Sequence, residues 1–524
     1  MTIFPSTSIS NILSMATSLS PLLQILFLFL IPFISIYVCL YKQRILKLPP
    51  GPMRLPIIGN LHQLLGNTFP HQTFGRLSHR YGPIMFLKLG SIPTLVVSSA
   101  EVAKEIFKSH DIIFSGRPVL YAVKTLGYNG STVSFAPYGD YWREMRKIVI
   151  LELLGQKRVR AFQAVREEEV RTLIDTITST PTFLNSGIVN LSQLTLTLAN
   201  SVVCRVAFGK KYNGSNDHRE DGKGGLSELL HETQNLLGSF CVADFYPRWL
   251  TWVNKFNGLE RRVNKCFRDL DNFYDKVIEE HHHFDPGNTK HEDVVDVLLQ
   301  LQNDPNQALK INNDQIKGVI TDLFIAGTDT TSAALVWIMA ELIMNPEAMK
   351  RAQEELREVT KRKGFVEESQ LSKLNYIKLV IKEGFRLHPP VPLLVPRETT
   401  ESCRMKGYDI PSGTRVFINT SEIGRDSKYW EKPNEFRPER FMESSVDYRG
   451  KHFELLPFGV GRRGCPGINF ATVLIELALA NLLCRFDWEL PNGMKREDMD
   501  MEEAFGLTMN KKIPLCLVAK VVDL

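Results

Sequence analysis

The sequence contains no closely spaced pair of cysteines and no zinc-ligand spacing, although eight of its 524 residues are cysteine. Disulfide frameworks and structural zinc sites both depend on such spacings. Neither is therefore expected. All the thiols except Cys465 are interpreted as reduced side chains without a role in metal binding.

A large excess of charge of one sign is also missing. The chain carries 63 lysines and arginines against 58 aspartates and glutamates, a formal net charge of +5. So small a value for this length does not indicate nucleic-acid binding. Hydrophobic residues make up 44% and charged residues 23% of the chain, which is ordinary for a protein with a sizeable core and excludes extensive disorder.

No long linker interrupts the chain after residue 60, and no internal repeat is present. Helical periodicity dominates from about residue 140 onward. Short segments such as Ile84–Leu89 and Thr94–Ser98 are rich in β-forming residues. We therefore predict one large domain that is mainly α with small β-sheets, an α+β fold.

The first 41 residues lack any charged side chain, and Pro21 to Tyr41 is almost wholly apolar. A span of about 20 residues crosses the hydrocarbon core of a bilayer. Lys42, Arg44 and Lys47 follow at once, which places the rest of the chain on the cytosolic side. A cleaved signal peptide is the alternative, but the run is long and has no basic segment before it. We predict an uncleaved N-terminal transmembrane helix.

Prolines cluster directly after this segment, in Pro49-Pro50-Gly51-Pro52. Clustered prolines stiffen a chain and prevent helix formation, so this stretch is expected to act as a hinge. The predicted organisation is a luminal N-terminus at 1–20, a membrane anchor at 21–41, a basic and proline-rich hinge at 42–60 and a folded domain at 61–524. With this topology, the glycosylation sequons at Asn129, Asn190, Asn213 and Asn419 are expected to be unused.

The run Phe458-Gly-Val-Gly-Arg-Arg-Gly-Cys-Pro-Gly467 places Cys465 in a glycine-rich turn before a long apolar helix, expected over 468–483. The unpaired amides and the positive dipole end of that helix favour a thiolate at the sulfur. Glycines in the turn allow a flat cofactor to approach the backbone. A thiolate in this setting suits an axial haem ligand. The alternative is a dinucleotide fingerprint, because residues 459–464 also spell Gly-x-Gly-x-x-Gly, although no clean strand precedes them.

The longest predicted helix runs from Asn313 to Met344, with Asn313 or Asp314 as its cap and Asn345-Pro346 as its stop. It contains Ala326-Gly-Thr-Asp-Thr-Thr331, a segment with poor helix propensity. Its threonines can bond back to carbonyls one turn earlier and open the helix locally. Asp329 and the Thr330 hydroxyl could then form a proton path. A merely packed threonine cluster is the alternative.

Two further patterns involve arginine. Trp142 and Arg146 lie one helical turn apart, which suits a carboxylate ligand. Glu383 and Arg386 also share a helix face, and Arg440 follows in Pro438-Glu-Arg-Phe441. These three could form a buried, hydrogen-bonded network of structural importance.

The run around Cys465 resembles the haem-binding signature of the cytochrome P450 family, Phe-x-x-Gly-x-Arg-x-Cys-x-Gly, at every fixed position. Five sequence motifs occur in the order typical of the family, from the proline hinge to Cys465. Their residues look most like those of plant, A-type endoplasmic-reticulum members. The resemblance implies the cytochrome P450 fold and a haem b whose iron is bound by Cys465 within the Phe458 motif. It also implies roles for further residues: Trp142, Arg146, Arg397 and Arg463 at the haem propionates, and Thr330 and Asp329 in protonation of dioxygen.

On this resemblance the chain is an NADPH- and O2-dependent monooxygenase of the endoplasmic-reticulum membrane, single-pass, with a cytosolic catalytic domain. Electrons would come from the FAD/FMN enzyme NADPH–cytochrome P450 reductase, with cytochrome b5 as a further partner, docking on basic residues that include Arg143, Arg146, Lys147 and Arg462. The substrate would be a small lipophilic plant metabolite: a terpenoid, an alkaloid or a phenylpropanoid.

The substrate pocket is expected from residues 112–133, 323–328, 391–395 and 505–508. Two alternative functions remain open at this point. One is an oxygen-independent haem-thiolate isomerase or dehydratase, whose members typically lose the acid–alcohol pair that is intact here. The other is a non-catalytic haem-binding protein.

Overall fold

A computed structural model describes residues 46–66, 68–179, 186–212, 226–239, 241–247, 252–282, 292–360 and 364–522, together with Leu30, Phe183 and Leu250. The expected luminal and membrane segments, 1–20 and 21–41, lie outside the described residues apart from Leu30. The same holds for the first part of the expected hinge, 42–45, and for the sequon at Asn213.

Helices are the commonest element of the described chain. Their bounds are α1 Pro70–Tyr81, α2 Ala100–Ser109, α3 Tyr121–Leu126, α4 Asp140–Ile148, α5 Gln156–Ala161, α6 Gln163–Ser179, α7 Leu191–Phe208, α8 Leu226–Gly238, α9 Val253–Phe256, α10 Leu259–His282, α11 Val294–Asn303, α12 Asn313–Met344, α13 Pro346–Val359, α14 Tyr376–Leu387, α15 Thr420–Ile423 and α16 Ile468–Arg485.

The strands are short. Their bounds are β1 Ile84–Leu89, β2 Ile92–Val97, β3 Ile188–Asn190, β4 Arg397–Glu398, β5 Cys403–Met405, β6 Tyr408–Ile410, β7 Arg415–Ile418, β8 Phe486–Glu489, β9 Glu503–Ala504, β10 Asn510–Lys511 and β11 Cys516–Val521. One sheet has the order β1-β2-β7-β4, another β3-β11-β8, and β5–β6 and β9–β10 are separate hairpins. The β2–β7 pair is parallel and the other pairs are antiparallel. The predicted mainly α fold with small sheets is confirmed.

The chain forms two compact units. The smaller one comprises residues 1–49 and 403–410, and in it Asp409 donates its backbone N–H to the Lys47 carbonyl at 2.7 Å. The Lys47 N–H returns a hydrogen bond to Asp409 Oδ2 at 2.9 Å. The larger unit comprises residues 50–402 and 411–524. It contains the helices α1–α16 and all the strands except β5 and β6, which belong to the smaller unit.

Helix α12 is the central element of the larger unit. Asn312 caps its start, because its side chain accepts from the Gln315 N–H while the Gln315 side chain accepts from the Asn312 N–H. The predicted caps, Asn313 or Asp314, were therefore one or two residues too late, whereas the bounds of the helix were correct. Most of α12 is buried, including Trp337 at 1% exposure, and α7 and α16 pack against it.

Three described helices are long and apolar enough to cross a membrane: Leu191–Phe208, Asn313–Met344 and Ile468–Arg485. Between 61% and 72% of the most apolar window of each is buried inside the protein. Their apolarity is accounted for by the core, since a helix that is hydrophobic all round is expected at the centre of a large domain.

The predicted network of Glu383, Arg386 and Arg440 is present. Arg386 donates to both Glu383 carboxylate oxygens, at 2.7 and 2.8 Å, and Arg440 Nε donates to Glu383 Oε1 at 2.9 Å. Arg386 also donates to the carbonyls of Gly424, Pro433 and Glu435. Glu383 and Arg386 are at most 1% exposed, so this network ties α14 to the segment that precedes Cys465.

Replacing Glu383 with alanine should leave two arginines without their shared carboxylate in the interior. Removing one partner of a buried ion pair costs about 3–5 kcal/mol, so we expect a loss of this size in the free energy of unfolding by urea. A matched control is Glu489→Ala, which breaks an exposed pair with Lys520 and should cost less than about 1 kcal/mol. Equal losses in the two variants would contradict the structural role of the network.

Candidate active site

The turn that carries Cys465 is held in a single shape by its backbone. Gly459 and Gly461 adopt positive φ angles of 64° and 75°, a region that other residues enter at a cost. The Cys465 N–H donates to the Phe458 carbonyl at 2.9 Å. The Phe458 ring packs edge-on against Phe385, 5.1 Å between centroids. The cysteine is thus fixed by the turn in front of it and by α16 behind it.

The Cys465 side chain is exposed, yet it lies deep within the fold. Burial raises the pKa of its thiol, while the Gly467 N–H and the charge of Arg146 act in the opposite direction. The exposure is therefore to an internal cavity that Cys465 itself lines. The predicted effect of the helix end is present in the Gly467 N–H, which lowers the pKa of the thiol, although desolvation has the larger and opposite effect. A metal cation bound to the sulfur would supply the missing stabilisation.

This cavity lies between α12 and the cysteine turn. The cavity has a volume of ≈ 280 Å³. Its apolar lining is contributed by Val133, Val149, Leu154, Val203, Val206, Ala207, Val319, Leu323, Ala326, Phe385, Pro390, Val391, Leu394, Val395, Pro457, Phe458, Pro466, Phe470, Ala471 and Ile475. Three of the four stretches expected to form the pocket contribute to it, namely 112–133, 323–328 and 391–395. The fourth, 505–508, does not line it.

Four arginines also line the cavity: Arg117, Arg146, Arg397 and Arg463. Burial lowers the pKa of each guanidinium, to about 10 for Arg397 and to about 9 for Arg463, and the charges of neighbouring arginines add to the effect at Arg117, Arg397 and Arg463. Arginine keeps its proton at physiological pH. The lowered pKa values therefore reflect first the cost of burying these cations and second their mutual repulsion, and an anionic ligand would offset both.

These guanidiniums are positioned mainly by backbone carbonyls. Arg463 donates to Ser115, Val133 and Ala136, and Arg397 donates to Phe114 and Val460. Arg146 donates to Gly464 at 2.6 Å. Arg117, which sequence reasoning missed, donates to Ser134, Val395 and Pro396. Its sequence context, between Gly116 and Pro118, carries no distinctive signal.

Trp142 does not line the cavity. Its indole N–H donates to the Val133 carbonyl at 3.0 Å rather than pointing at a carboxylate position. Its ring lies 4.1 Å from the Arg463 guanidinium and 5.4 Å from that of Arg146. Contacts of this kind attract a cation to the aromatic face. In this structure Trp142 therefore orients two of the arginines.

Asp322 is the one carboxylate among the described residues that line the cavity. It accepts from the N–H groups of Val133 and Ser134, at 2.5 and 3.1 Å, and from the Ser134 hydroxyl. Burial raises its pKa to about 6. Sequence reasoning missed it, although Asp322 lies four residues before Ala326 and eight before Thr330, on one stripe of α12.

Asp329 and Thr330 are adjacent in α12 but face different surroundings. Thr330 lines the cavity, and its hydroxyl donates to the Ala326 carbonyl at 2.6 Å, as expected for a threonine that bonds back one turn. Asp329 does not line the cavity. Its Oδ1 accepts from Asn510 Nδ2 at 3.2 Å, and burial raises its pKa.

Comparison with known proteins decides the family. Residues 49–517 match the profile of the Cytochrome P450 family. Cytochrome P450 71A9 of Glycine max is 61% identical over 481 residues, which cover 91% of this chain and 93% of that protein. The chain belongs to the cytochrome P450 family. It is a haem-thiolate monooxygenase and has the fold of that family.

Other relatives of this cytochrome P450 have names that state an activity. Strychnine-11-hydroxylase of Strychnos nux-vomica is 53% identical, over 90% of this chain and 91% of that protein. Phenylacetaldehyde oxime monooxygenase of Prunus mume is 44% identical, over 91% and 90%. A solved structure of a zebra fish cytochrome P450 with progesterone has a TM-score of 0.72 at 26% identity, covering 87% of this chain and 100% of that one.

The residues present fit the haem that the family implies. Four arginines crowd positive charge beside a cavity that holds a single carboxylate, which matches a planar ligand bearing two propionates. The buried Cys465 thiol faces the same cavity. The dinucleotide alternative has no support, because the described residues directly before Gly459 form turns and loop, not the strand of a βαβ unit.

Asp322 makes stability depend on pH. Its folded-state pKa of about 6 lies above its ordinary value of 3.8, so the folded state binds its proton more tightly than the unfolded state. Stability contributed by the protonated form is lost as pH rises between these two values. Relative to Asp322→Asn, the free energy of unfolding of the wild type should fall by about 2–3 kcal/mol from pH 4 to pH 6. A difference that is constant over this range would contradict the assignment.

Proposed function

We propose that this cytochrome P450 uses O2 and NADPH-derived electrons to oxidise a small lipophilic plant metabolite, a terpenoid, alkaloid or phenylpropanoid, by hydroxylation, epoxidation or oxidative cyclisation. The observation that carries this proposal is the largely apolar wall that α7, α12 and residues 391–395 present on the cavity shared with Cys465. Apolar cavities with a few placed polar groups are typical of small-molecule sites. The activities named for the plant relatives are consistent with this class of substrate.

The residues that would hold the haem are Cys465, as the axial sulfur ligand, and Arg146, Arg397 and Arg463 at the propionates. Arg117 belongs to the same cluster, and Phe458 supports the turn. When bound, the haem supplies the iron chemistry that activates O2 and oxidises the substrate. Trp142 contributes to haem binding indirectly in this proposal, because its ring orients Arg146 and Arg463.

Proton delivery is assigned to Asp329 and Thr330. The Thr330 hydroxyl faces the cavity, while the Asp329 carboxyl lies on the other side of α12, next to the hairpin β9–β10. Burial raises the pKa of Asp329, so that it can carry a proton nearer to neutral pH than an exposed aspartate. Thr330 would hold a proton at its Oγ1 within the cavity, and Asp329 would replace it.

Electron partners are expected on the surface near the cysteine turn. Arg143, Lys147 and Arg462 are exposed there, at 54%, 65% and 46% of their side chains. An acidic flavoprotein, the NADPH–cytochrome P450 reductase, fits this charge, and cytochrome b5 is proposed as a further partner. Arg146 lines the cavity, so we propose that it contacts the haem and does not form part of this docking surface.

The proposed location is the endoplasmic-reticulum membrane, with 21–41 as the anchor, 42–60 as the hinge and 61–524 in the cytosol. The sequon at Asn419 supports this topology. Asn419 is 0% exposed, its side chain donates to the His71 carbonyl at 2.8 Å, and it accepts from the Glu422 N–H. The folded domain therefore has no room for a glycan at this asparagine, as expected for a domain that folds in the cytosol.

Replacing Cys465 with serine should abolish the absorption band of the reduced carbon-monoxide complex that gives the family its name. Serine keeps the size of the side chain but offers no soft thiolate to the iron. An unchanged band in this variant would refute Cys465 as the ligand. Cys484→Ser, at a buried cysteine on the far end of α16, is a matched control that should retain the band.

Deleting residues 1–41 should release most of the protein from microsomal membranes into the soluble fraction during carbonate extraction. The haem absorption of the released protein should be unchanged, because Cys465 and the arginine cluster lie far along the chain. Full retention in the carbonate-washed membranes would contradict the anchor.

The proposed function is tested by producing the full chain with a reductase in microsomes. Plant extracts are then screened by mass spectrometry for substrates whose mass rises by one oxygen atom. Turnover should require NADPH. Conversion of a substrate without NADPH would favour the isomerase or dehydratase alternative instead. No product from any extract would favour a haem-binding protein without catalytic activity.

A further inference from the structure

The Asp329 carboxyl is held from outside the cavity by the C-terminal hairpin. Asn510, in β10, donates its side-chain amide to Asp329 Oδ1 at 3.2 Å. The Thr508 hydroxyl, two residues earlier, also bonds to this carboxyl and lowers its pKa, although burial has the larger and opposite effect. Neither Asn510 nor Thr508 lines the cavity that holds Cys465.

The hairpin is anchored on both sides of this contact. Trp337, two helical turns after Asp329 in α12, donates its indole N–H to the Met509 carbonyl at 2.8 Å. The Met509 N–H donates to the Pro390 carbonyl at 2.9 Å. Asn510 pairs with Ala504 across the hairpin. Because the backbone at 509–510 is fixed relative to α12, the Asn510 amide has little freedom to leave Asp329.

The charged groups nearest to Asp329 do not replace this amide. His231, on α8, acts on Asp329 only through its charge, which lowers the pKa of the carboxyl. The Lys511 ammonium is turned away, since it donates to the Asp500 carbonyl and lies 5.3 Å from the centre of the Trp337 ring. The direct partners of the acid, Asn510 and Thr508, are therefore both neutral donors.

A neutral partner has a chemical consequence. A cation in contact with an aspartate lowers its pKa by about 1–3 units and keeps it ionised. An amide stabilises the carboxylate less than a cation does. Burial can therefore keep the pKa of Asp329 closer to the working pH, so that the group both takes up and releases protons. General acids work best under that condition.

We propose that Asn510 is a positioning residue for proton delivery in the monooxygenase reaction, holding the Asp329 carboxyl at the outer side of α12 with an uncharged donor. This inference rests on the proposed role of Asp329 and Thr330. In the step concerned, the carboxyl O–H bond of Asp329 would break as its proton bonds to Thr330 Oγ1, and Thr330 would release its own hydroxyl proton into the cavity. The carboxylate that remains keeps the Asn510 hydrogen bond until solvent returns a proton, and no electron moves.

A double-mutant cycle tests this proposal. Asn510→Leu, Asp329→Asn and the double variant are compared in the full-length, haem-loaded enzyme with reductase, on any substrate found for it. Asn510→Leu should lower kcat about 3- to 10-fold and raise the solvent deuterium isotope effect, with KM changed less than about twofold because Asn510 does not touch the cavity. Lys512→Met, at an exposed position next to the hairpin, is the control and should change neither quantity.

In the Asp329→Asn background, Asn510→Leu should have no further effect on kcat, because its contribution passes through the carboxylate. A further loss of similar size would show that Asn510 acts through the fold of the hairpin and would overturn the proposal. If Asp329→Asn itself leaves the product formed per NADPH unchanged, the proposed function of Asp329 fails instead. If Asp329→Asn lowers this ratio and Asn510→Leu changes nothing, only the inference about Asn510 fails.

A second readout does not depend on turnover. The carboxyl stretch of Asp329 is assigned in infrared spectra by its loss in Asp329→Asn and is then titrated with pH. Asn510→Leu removes a donor to the carboxylate and should raise the midpoint of this titration. The same midpoint in Asn510→Leu and the wild type would overturn the proposal.

Discussion

The buried positive charge beside Cys465 is the constraint on which the rest of the site depends. Four guanidiniums surround one side of a cavity whose described lining offers a single carboxylate, Asp322. That carboxylate is already bonded to Val133 and Ser134. Such an arrangement is costly in an empty protein, because desolvated like charges repel one another. It is favourable once a dianionic ligand occupies the cavity.

The fold supports this charge by using backbone carbonyls as partners. Arg463, Arg397 and Arg117 reach carbonyls in four separate segments, near 115, 134, 395 and 460. Arg397 also faces a carboxylate, that of Asp111 at 3.7 Å. Hydrogen bonds to carbonyls orient a guanidinium without neutralising it. The same principle applies on the other side of α12, where an amide rather than a cation meets Asp329. On both sides of the site the functional side chains are therefore hydrogen-bonded mainly by neutral partners.

Much of this architecture could be predicted from local sequence. The bounds of α12 follow from its polar cap and its Asn345-Pro346 stop, and the turn at Cys465 follows from glycines that adopt positive φ. Contacts that depend on distant segments could not be predicted. The partner of the Trp142 indole, Val133, lies in a loop whose course is set by Asp322 in α12.

The thiol of Cys465 illustrates the same limit. Sequence reasoning identified the helix end that favours a thiolate, but the opposing desolvation arises from the packing of the whole domain around the cavity. Asn510 escaped notice for a related reason, because its partner Asp329 is 181 residues away in the chain. Local patterns therefore located the chemistry, while long-range packing determined its electrostatics.

The central claim is that the arginine cluster recognises the two propionates of a haem. The most direct measurement compares the affinity of the haem-free protein for iron protoporphyrin IX with its affinity for the dimethyl ester of the same porphyrin, which has no negative charge at these positions. The account predicts that the ester binds at least about tenfold more weakly, since hydrogen bonds to charged groups contribute about 1.5–3 kcal/mol each. Equal affinities for the two porphyrins would contradict it.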